Sequence, residues 1–211
     1  MSRKEVKIKL KKLSKNAVIP TYGHVGDDGK NLGDIGLDMT AISVEWDKKM
    51  DCYIYHTGIS IETDKGLGTF MFPRSSNRKT DCYLTNSVGL VDSTLYRGEI
   101  LWCFKSRIST YERTEIVGNK AFINSIKKSL RNPLNIFKIQ QVIDKAEKES
   151  EEAKLRVIEM TKNLEFAPYD VGKKIGQFVV IPYPDVNIEV VSELSETVRG
   201  KGGFGSTDKD K

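Results

Sequence analysis

The sequence has few of the residues that build metal sites and disulfide frameworks. Its 211 residues include only three cysteines (Cys52, Cys82 and Cys103) and two histidines. An odd number of widely spaced cysteines does not fit a disulfide framework, and the two histidines leave too few ligands for a zinc site. We therefore expect the cysteines to be reduced and structural.

Long apolar runs are also missing. No stretch approaches the ~20 apolar residues that a membrane helix needs, and the first residues are charged, without the apolar segment of a signal peptide. We expect a cytoplasmic protein that makes no membrane contact. The net charge of +5, from 34 basic and 29 acidic residues, suits an anionic ligand but is too small to indicate nucleic-acid binding.

Short segments with strand character occur along most of the chain. Between Val6 and Leu10 apolar and basic residues alternate, which is the period-two pattern of a half-buried strand. Four further runs, at 52–61, 68–72, 100–104 and 178–181, are rich in β-branched or aromatic residues and are separated by Gly, Asp, Asn and Pro turn signals. The pattern predicts an all-β body, a barrel or jelly roll, in one main domain.

The segment 113–165 differs from this body because Lys, Glu, Ile and Ala dominate it and glycine is absent after Gly118. Asn132 and Pro133 fit an N-cap and a first helical position. Downstream, apolar and small residues follow the heptad spacing of a helix–helix seam; they are Ile136, Ile139, Ile143, Ala146, Ser150, Ala153, Val157, Met160 and Leu164. A helix from Pro133 to Glu165 would be about 50 Å long, so we expect it to project, fold back as a hairpin or pack on a copy of itself.

A glycine-rich tail runs from Arg199 to Thr207. Its glycines invite comparison with a phosphate-binding P-loop, but the Gly-Lys-Ser or Gly-Lys-Thr of that motif does not follow them. The tail still offers cations, hydroxyls for phosphate hydrogen bonds, and Phe204, which can stack on a base. A disordered glycine-rich terminus explains the same composition when the tail is considered alone.

Four polar clusters precede the tail. The cluster at 73–79 places two hydroxyls beside a guanidinium after a strand, which suits phosphate oxygens. The cluster at 86–99 predicts a hairpin with an acid, an amide and an aromatic residue around one turn. The remaining two lie at 33–39 and 172–178. Taken alone, the cluster at 73–79 fits a solvated polar turn better than a phosphate site, the cluster at 86–99 also fits a plain β-turn, and the other two are weak signals.

Together and in this order, the five clusters resemble the five motifs of the trimeric dUTP pyrophosphatases (dUTPases), over most of residues 6–105 and 168–207. The resemblance implies a dUTPase-like jelly-roll β-barrel at 1–112 and 166–198, a helical insertion at 113–165 between the third and fourth motifs, and a flexible C-terminal arm at 199–211. Some phage-type members carry extra segments at about this place, so a phage or bacterial member is implied.

The sequence departs from the family pattern in four places. The first motif has Ile35-Gly36-Leu37-Asp38-Met39 where Ala-Gly-Tyr-Asp-Leu is usual. Ser76 replaces a common glycine, one extra residue separates Asp92 from Tyr96, and Asp208 replaces a final glycine.

The resemblance implies a homotrimer that hydrolyses dUTP to dUMP and pyrophosphate with Mg²⁺, at three sites between subunits. Asp92 is then the general base for the water that attacks the α-phosphorus, and Asp38 contacts Mg²⁺ through water. The implied substrate-binding residues are Arg74, Ser75, Ser76 and Gln177 for the phosphates, Asn86, Leu90 and Val91 for uracil, Tyr96 beneath the deoxyribose, and Arg199, Phe204, Gly205, Ser206 and Thr207 in the arm that closes over the nucleotide.

Two other functions remain open. The dCTP deaminases share this fold, but they place a glutamate a few residues beyond the Arg-Gly of the third motif, where this chain has the apolar run 100–104; Glu99 keeps this alternative open. A regulatory protein that senses dUTP without turnover is the other alternative, because the third motif is unusual. The insertion either stabilises the trimer or provides a docking surface for a protein partner.

Overall fold

The structure, a computed structural model, describes residues 5–132, 138–198 and 200. Over these residues the chain forms ten strands and two α-helices. In chain order they are β1 Ile8–Lys12, β2 Leu37–Thr40, β3 Ser43–Asp47, β4 Cys52–His56, β5 Ile59–Thr63, β6 Leu67–Pro73, β7 Cys82–Leu84, β8 Gly89–Val91, β9 Leu101–Ser106, α1 Thr110–Ser129, α2 Ile139–Lys162 and β10 Lys174–Pro182.

The strands form three antiparallel sheets. One sheet has the order β2-β10-β6-β8, a second has the order β3-β4-β9-β7, and β1 pairs with β5. Both four-stranded sheets contribute to one core, in which Trp102, Tyr55 and Phe104 of the second sheet meet Met39 and Phe178 of the first. The predicted all-β, jelly-roll-like body is therefore confirmed.

The predicted strand run 52–61 is in fact two strands. Gly58 has a φ of 66°, a backbone conformation that residues other than glycine rarely adopt. A Cβ at Gly58 would also stand 2.7 Å from Ile42 Cδ1. The chain therefore turns here, and β4 and β5 join different sheets.

The insertion is a hairpin of two helices, one of the three arrangements expected from the sequence. Helix α1 begins with a capping box, in which Ser109 and Glu112 bond reciprocally to each other's backbone N–H. The helices approach closely where Gly118 faces Ser150, whose hydroxyl donates to the Gly118 carbonyl at 3.0 Å. No helix in the described part of the chain is long and apolar enough to cross a membrane.

The helix boundaries correct the sequence prediction. The first helix starts at Thr110 rather than Arg113, and α2 starts at Ile139. Pro133 and Ile136 lie outside the described residues, so the N-cap at Asn132 stays a prediction. The seam prediction holds in the middle of α2, where Ala146, Ser150 and Val157 are buried, and fails at the exposed Ile139.

The hairpin joins the barrel at its base. Asp51 accepts hydrogen bonds from the Thr110 N–H and hydroxyl, and the Arg113 guanidinium lies 4.3 Å from the centre of the Phe166 ring. Over the described ranges, the helices pack on each other and neither packs extensively on a strand. The barrel core is therefore complete without the hairpin.

The three cysteines are free thiols. Cys52 and Cys82 are buried, and Cys103 is half-buried. Burial raises the pKa of Cys52 to about 11 and raises the pKa values of Cys82 and Cys103 above their ordinary range. Thiols with raised pKa values are poor nucleophiles near neutral pH, so they serve packing.

Strand β10 crosses the fully buried indole of Trp102 at Gly176, where any Cβ would overlap the ring. We expect Gly176→Ala to lower the free energy of unfolding by about 1–3 kcal/mol, because an overpacked core must shift. Urea unfolding at fixed protein concentration measures this. Gly68→Ala in β6 is the matched control, since its Cβ would approach no atom closer than 3.3 Å; its neighbours are the rings of Phe70 and Tyr183, at 3.3 and 3.4 Å, and the Ile181 carbonyl oxygen at 3.8 Å. Equal losses for the two variants would contradict this account of Gly176.

Candidate functional site

One candidate site is a cavity of about 290 Å³ beside β8. It brings together four residues singled out from the sequence; they are Leu90, Val91, Asp92 and Tyr96. Met71, Glu99, Ile100 and Leu101 complete its lining. Asn86 does not line the cavity, but its amide nitrogen lies against Gly89 at the start of β8. Asp92 is exposed, and its carboxylate makes no hydrogen bond or ion pair with the described residues.

The third cluster does not form the predicted hairpin. Strand β8 pairs with β6, whereas β9 pairs with β4 and β7, so the chain crosses from one sheet to the other between them. The Asp92 carbonyl accepts from the N–H groups of Leu95 and Tyr96 at 2.8 and 2.7 Å. This helical turn accommodates the extra residue between Asp92 and Tyr96.

Two side chains anchor that turn. Ser93 is buried, and its hydroxyl lies 2.7 Å from the Thr63 hydroxyl and 3.0 Å from that of Thr69. The Arg97 guanidinium donates to the carbonyls of Ser93, Thr94 and Tyr96. Asp92 is thus exposed on a turn whose next residue is fixed in the core.

The position of Tyr96 depends on the residues that follow it. Its hydroxyl donates to the Glu99 carbonyl at 3.0 Å. Gly98 lies directly against the Tyr96 ring, where any Cβ would overlap the ring. Tyr96 is therefore held at the cavity by a backbone acceptor and by the absence of a side chain at position 98.

The Glu99 side chain contacts the end of β4 and the loop between β4 and β5. Its Oε1 accepts from the Gly58 N–H at 2.6 Å, and its Oε2 lies 3.0 Å from His56 Nδ1. Burial tends to raise the pKa of Glu99, but the hydrogen bonds from His56 and Gly58 outweigh burial and lower it. No local sequence pattern indicates the pair of His56 and Glu99, because the two residues are 43 positions apart.

The second candidate site surrounds Asp38, whose side chain is 2% exposed. Its carboxylate accepts from Lys174 Nζ at 2.7 Å and from Gln177 Nε2 at 3.0 Å, and it lies 3.3 Å from Arg74 Nε. Asp38, Arg74 and Gln177, which were predicted from three separate motifs, are therefore neighbours. Ser75 and Ser76 follow Arg74 in a short 3₁₀ turn, Ser75–Lys79.

Lys174 was not predicted as a site residue. The sequence shows two adjacent lysines, Lys173 and Lys174, and a pairing irregularity between positions 174 and 176 of β10 decides which of them meets Asp38. With Lys174 and Arg74 around one carboxylate, the cluster carries a surplus positive charge. That surplus suits an anionic group such as phosphate.

The two sites are far apart within one chain. Strand β6 pairs Thr69 with Val91 on one edge and Pro73 with Gly176 on the other. Asp92 is therefore level with Gly68, and Arg74 lies about six residues further along β6, or ~20 Å. The other predicted site residues, Arg199 and 204–207 of the arm, lie outside the described residues.

No group of three or more His, Cys, Asp or Glu side chains that could hold a metal ion occurs within residues 5–132, 138–198 and 200. The two carboxylate oxygens of Asp38 share three contacts, with Lys174, Gln177 and Arg74. An ionised carboxylate offers about four acceptor positions, so one remains for a water molecule.

No protein-family model matches the chain. It is 29% identical over 203 residues to the deoxyuridine 5′-triphosphate nucleotidohydrolase of Trichodesmium erythraeum, with 96% of this chain and 99% of that protein covered. The nucleotidohydrolase of the same name from Clostridioides difficile is 29% identical over 201 residues, covering 95% and 96% of the two chains.

Solved structures share the fold. A dUTPase of Staphylococcus bacteriophage 80alpha, solved as a mutant with dUpNHpp, superposes with a TM-score of 0.56 at 18% identity, covering 95% of this chain and 98% of that one. A second structure of that phage dUTPase, also with dUpNHpp, gives a TM-score of 0.56 at 17% identity and covers 95% and 97%. The whole described architecture, including the helical hairpin, therefore falls within one known fold.

Asp38 should contribute more to stability than either of its cations. We expect Asp38→Asn to lower the free energy of unfolding by about 2–3 kcal/mol, because it leaves two neighbouring cations without their counter-charge. Lys174→Met should cost less than about 1 kcal/mol, since Arg74 remains and the lysine is partly solvated. Urea unfolding of both variants tests this. A larger loss for Lys174→Met would contradict the central role of Asp38.

Proposed function

We infer that this chain, a member of the dUTPase family, hydrolyses dUTP to dUMP and pyrophosphate. Sequence similarity to dUTP nucleotidohydrolases extends over at least 95% of the chain, and the dUTPase fold matches over a similar length. The observation that carries the proposal is the unpartnered Asp92 carboxylate at the rim of a cavity built by the third motif.

In the proposed reaction Asp92 takes a proton from a water molecule whose oxygen attacks the α-phosphorus, and pyrophosphate leaves. The free, exposed carboxylate of Asp92 is suited to this role. The backbone edges of Leu90 and Val91, with the amide of Asn86, bind uracil in this proposal. Tyr96 then lies beneath the deoxyribose and leaves no room for a 2′-hydroxyl.

Arg74, Ser75, Ser76 and Gln177 bind the triphosphate, and the positive surplus around Asp38 favours that binding. Lys174 adds to this charge. Mg²⁺ bound with the triphosphate would neutralise phosphate charge, since this cation keeps several waters and takes phosphate ligands. Asp38 would contact it through water at its one remaining acceptor position.

The distance between the two sites supports the proposed homotrimer. Because ~20 Å separates Asp92 from Arg74 along β6, a dUTP molecule that touches both needs residues from two chains. The segment after β10 supports assembly as well. Val186, Ile188 and Val190 alternate there with polar residues and are 79%, 81% and 93% exposed, which favours their burial on a neighbouring subunit.

That segment leads toward the arm, so the arm reaches a neighbouring subunit's nucleotide in this proposal. Arg199 then meets the γ-phosphate and Phe204 covers the uracil. Gly205, Ser206 and Thr207 close on the phosphates and exclude bulk water.

The dCTP deaminase alternative is disfavoured by the contacts of Glu99. Both of its carboxylate oxygens are engaged, by Gly58 and by His56, so it is not free to transfer protons at a bound cytosine. The regulatory alternative concerns the hairpin, which exposes Ile116, Ile123 and Leu130 at heptad spacing. Exposed apolar side chains at this spacing suit burial on another protein chain, so docking of a protein partner and stabilisation of the trimer both stay proposals for the hairpin.

The activity itself is tested with the parent protein and Asp92→Asn. We expect pyrophosphate release from dUTP by the parent, and a loss of roughly a thousandfold or more in kcat for the variant, because a positioned general base contributes 10²–10⁴-fold. The Kd for the non-hydrolysable analogue dUpNHpp should change little. Incubation with dCTP is the control for deamination. A parent protein without dUTP hydrolysis would refute the proposal.

The shared site is tested by mixing two inactive variants, Arg74→Ala and Asp92→Asn, unfolding them together and refolding them. If each site takes Arg74 from one chain and Asp92 from another, random assembly of a 1:1 mixture makes about a quarter of the sites intact. Each variant refolded alone is the control. Activity in the mixture no higher than in the controls would show that both residues act within one chain.

A further inference from the structure

The loop that carries Tyr96 is connected to a histidine that the proposed reaction does not use. Tyr96 donates to the carbonyl of Glu99, and the carboxylate of the same glutamate meets His56 Nδ1 at 3.0 Å. His56 ends strand β4 and is 30% exposed. One residue, Glu99, therefore links the side chain at the cavity to a titratable group in the other sheet.

The charged groups around His56 come from two further elements. Glu99 precedes β9, and Glu45 on β3 lies with its Oε1 3.6 Å from His56 Nε2. Each imidazole nitrogen thus faces a carboxylate, an arrangement that favours the doubly protonated, positively charged ring. The hydrogen bond to Glu99, followed by the charges of Glu99 and Glu45, raises the pKa of His56 above its ordinary value, and burial opposes this rise.

Other contacts keep the loop folded when this pair breaks. The Thr57 hydroxyl donates to the Ile100 carbonyl at 2.7 Å, and the Ile100 N–H donates to the Ile59 carbonyl at 2.8 Å. None of the groups in these two hydrogen bonds titrates near neutral pH. Loss of the His56 charge therefore leaves the fold intact and changes only how firmly Glu99, and with it the Tyr96 acceptor, is held.

We propose that His56 and Glu99 act as positioning residues for Tyr96, and that protonation of His56 tightens the discrimination of the site against ribonucleotides. This inference rests on the proposed function, because it assigns Tyr96 to the sugar. The contact between His56 and Glu99 is a charged hydrogen bond when Glu99 is ionised and His56 is protonated. Discrimination is then highest on the acid side of the His56 titration and falls as pH rises through it.

The test compares kcat/KM for dUTP with kcat/KM for UTP at pH values from about 6 to 9, a range that spans histidine titration. Both substrates carry the same triphosphate and use the same general base, so their common titrations cancel in the ratio. In the parent protein we expect the ratio to fall about three- to tenfold as pH rises, as a charged hydrogen bond becomes a neutral one.

His56→Gln keeps a side-chain donor but cannot titrate, so its ratio should be low and constant across the range. Glu99→Gln should behave in the same way, and it supplies the comparison if His56→Gln fails to fold. The matched control is His24→Gln, because His24 is the only other histidine in the chain and pairs with Asp34. This control should keep the profile of the parent protein.

A readout independent of activity separates this inference from the proposed function. In protein with ¹³C-labelled tyrosine, the ring signals of Tyr96, assigned with Tyr96→Phe, should shift with the His56 titration and stay constant in His56→Gln. A parent-like pH profile of the ratio in His56→Gln, or Tyr96 signals that do not follow His56, would overturn the inference. Absence of dUTP hydrolysis together with coupled Tyr96 signals would instead refute only the proposed function.

Discussion

The pairing of β6 with strands on both its edges is the constraint on which the candidate sites depend. At one end of β6, Pro73 is held against Gly176 of β10, and Arg74 follows directly. Nearer the other end, Thr69 is held against Val91 of β8, and Asp92 follows. Hydrogen-bond ladders fix these pairings because a slip by one residue would turn every core side chain outward. The distance between the two sites is therefore a property of the sheet.

Buried charge fixes the first of these sites. Asp38 is removed from water, which is costly for a carboxylate without partners. Lys174 and Gln177 of β10, and Arg74 directly after β6, supply those partners. The same contacts orient a guanidinium and an ammonium group that would otherwise be mobile. A single buried acid thus organises a positive cluster with residues from three motifs.

The second site is organised by a crossing between sheets. After β8 the chain leaves one sheet and enters the other at β9, and the turn between them is anchored by Ser93 in the core and by Arg97 on its carbonyls. The anchoring leaves Asp92 exposed. It also brings Glu99 under the β4–β5 loop, where Gly58 and His56 hold it, so the environment of Tyr96 includes a histidine from the opposite sheet.

Sequence patterns predicted much of this architecture, because they report local physics. Period-two alternation and turn residues located most strands, and the loss of glycine located the helical insertion. The motifs at Asp38, Arg74, Asp92, Tyr96 and Gln177 identified the residues that gather at the two sites. The start of the first helix was predicted less well, since the capping box at Ser109 went unnoticed and the helix begins at Thr110 rather than Arg113.

The remaining features depend on contacts between distant parts of the chain. The sequence by itself determined the all-β class, the helical insertion and the main candidate residues, since each leaves a local signature in composition or spacing. Only the tertiary structure decided that Lys174 joins Asp38, that the third motif crosses between sheets, that Glu99 binds His56, and that two groups of motif residues lie ~20 Å apart. These features follow from strand pairing and side-chain burial, which bring together residues whose separation in sequence carries no periodic signal.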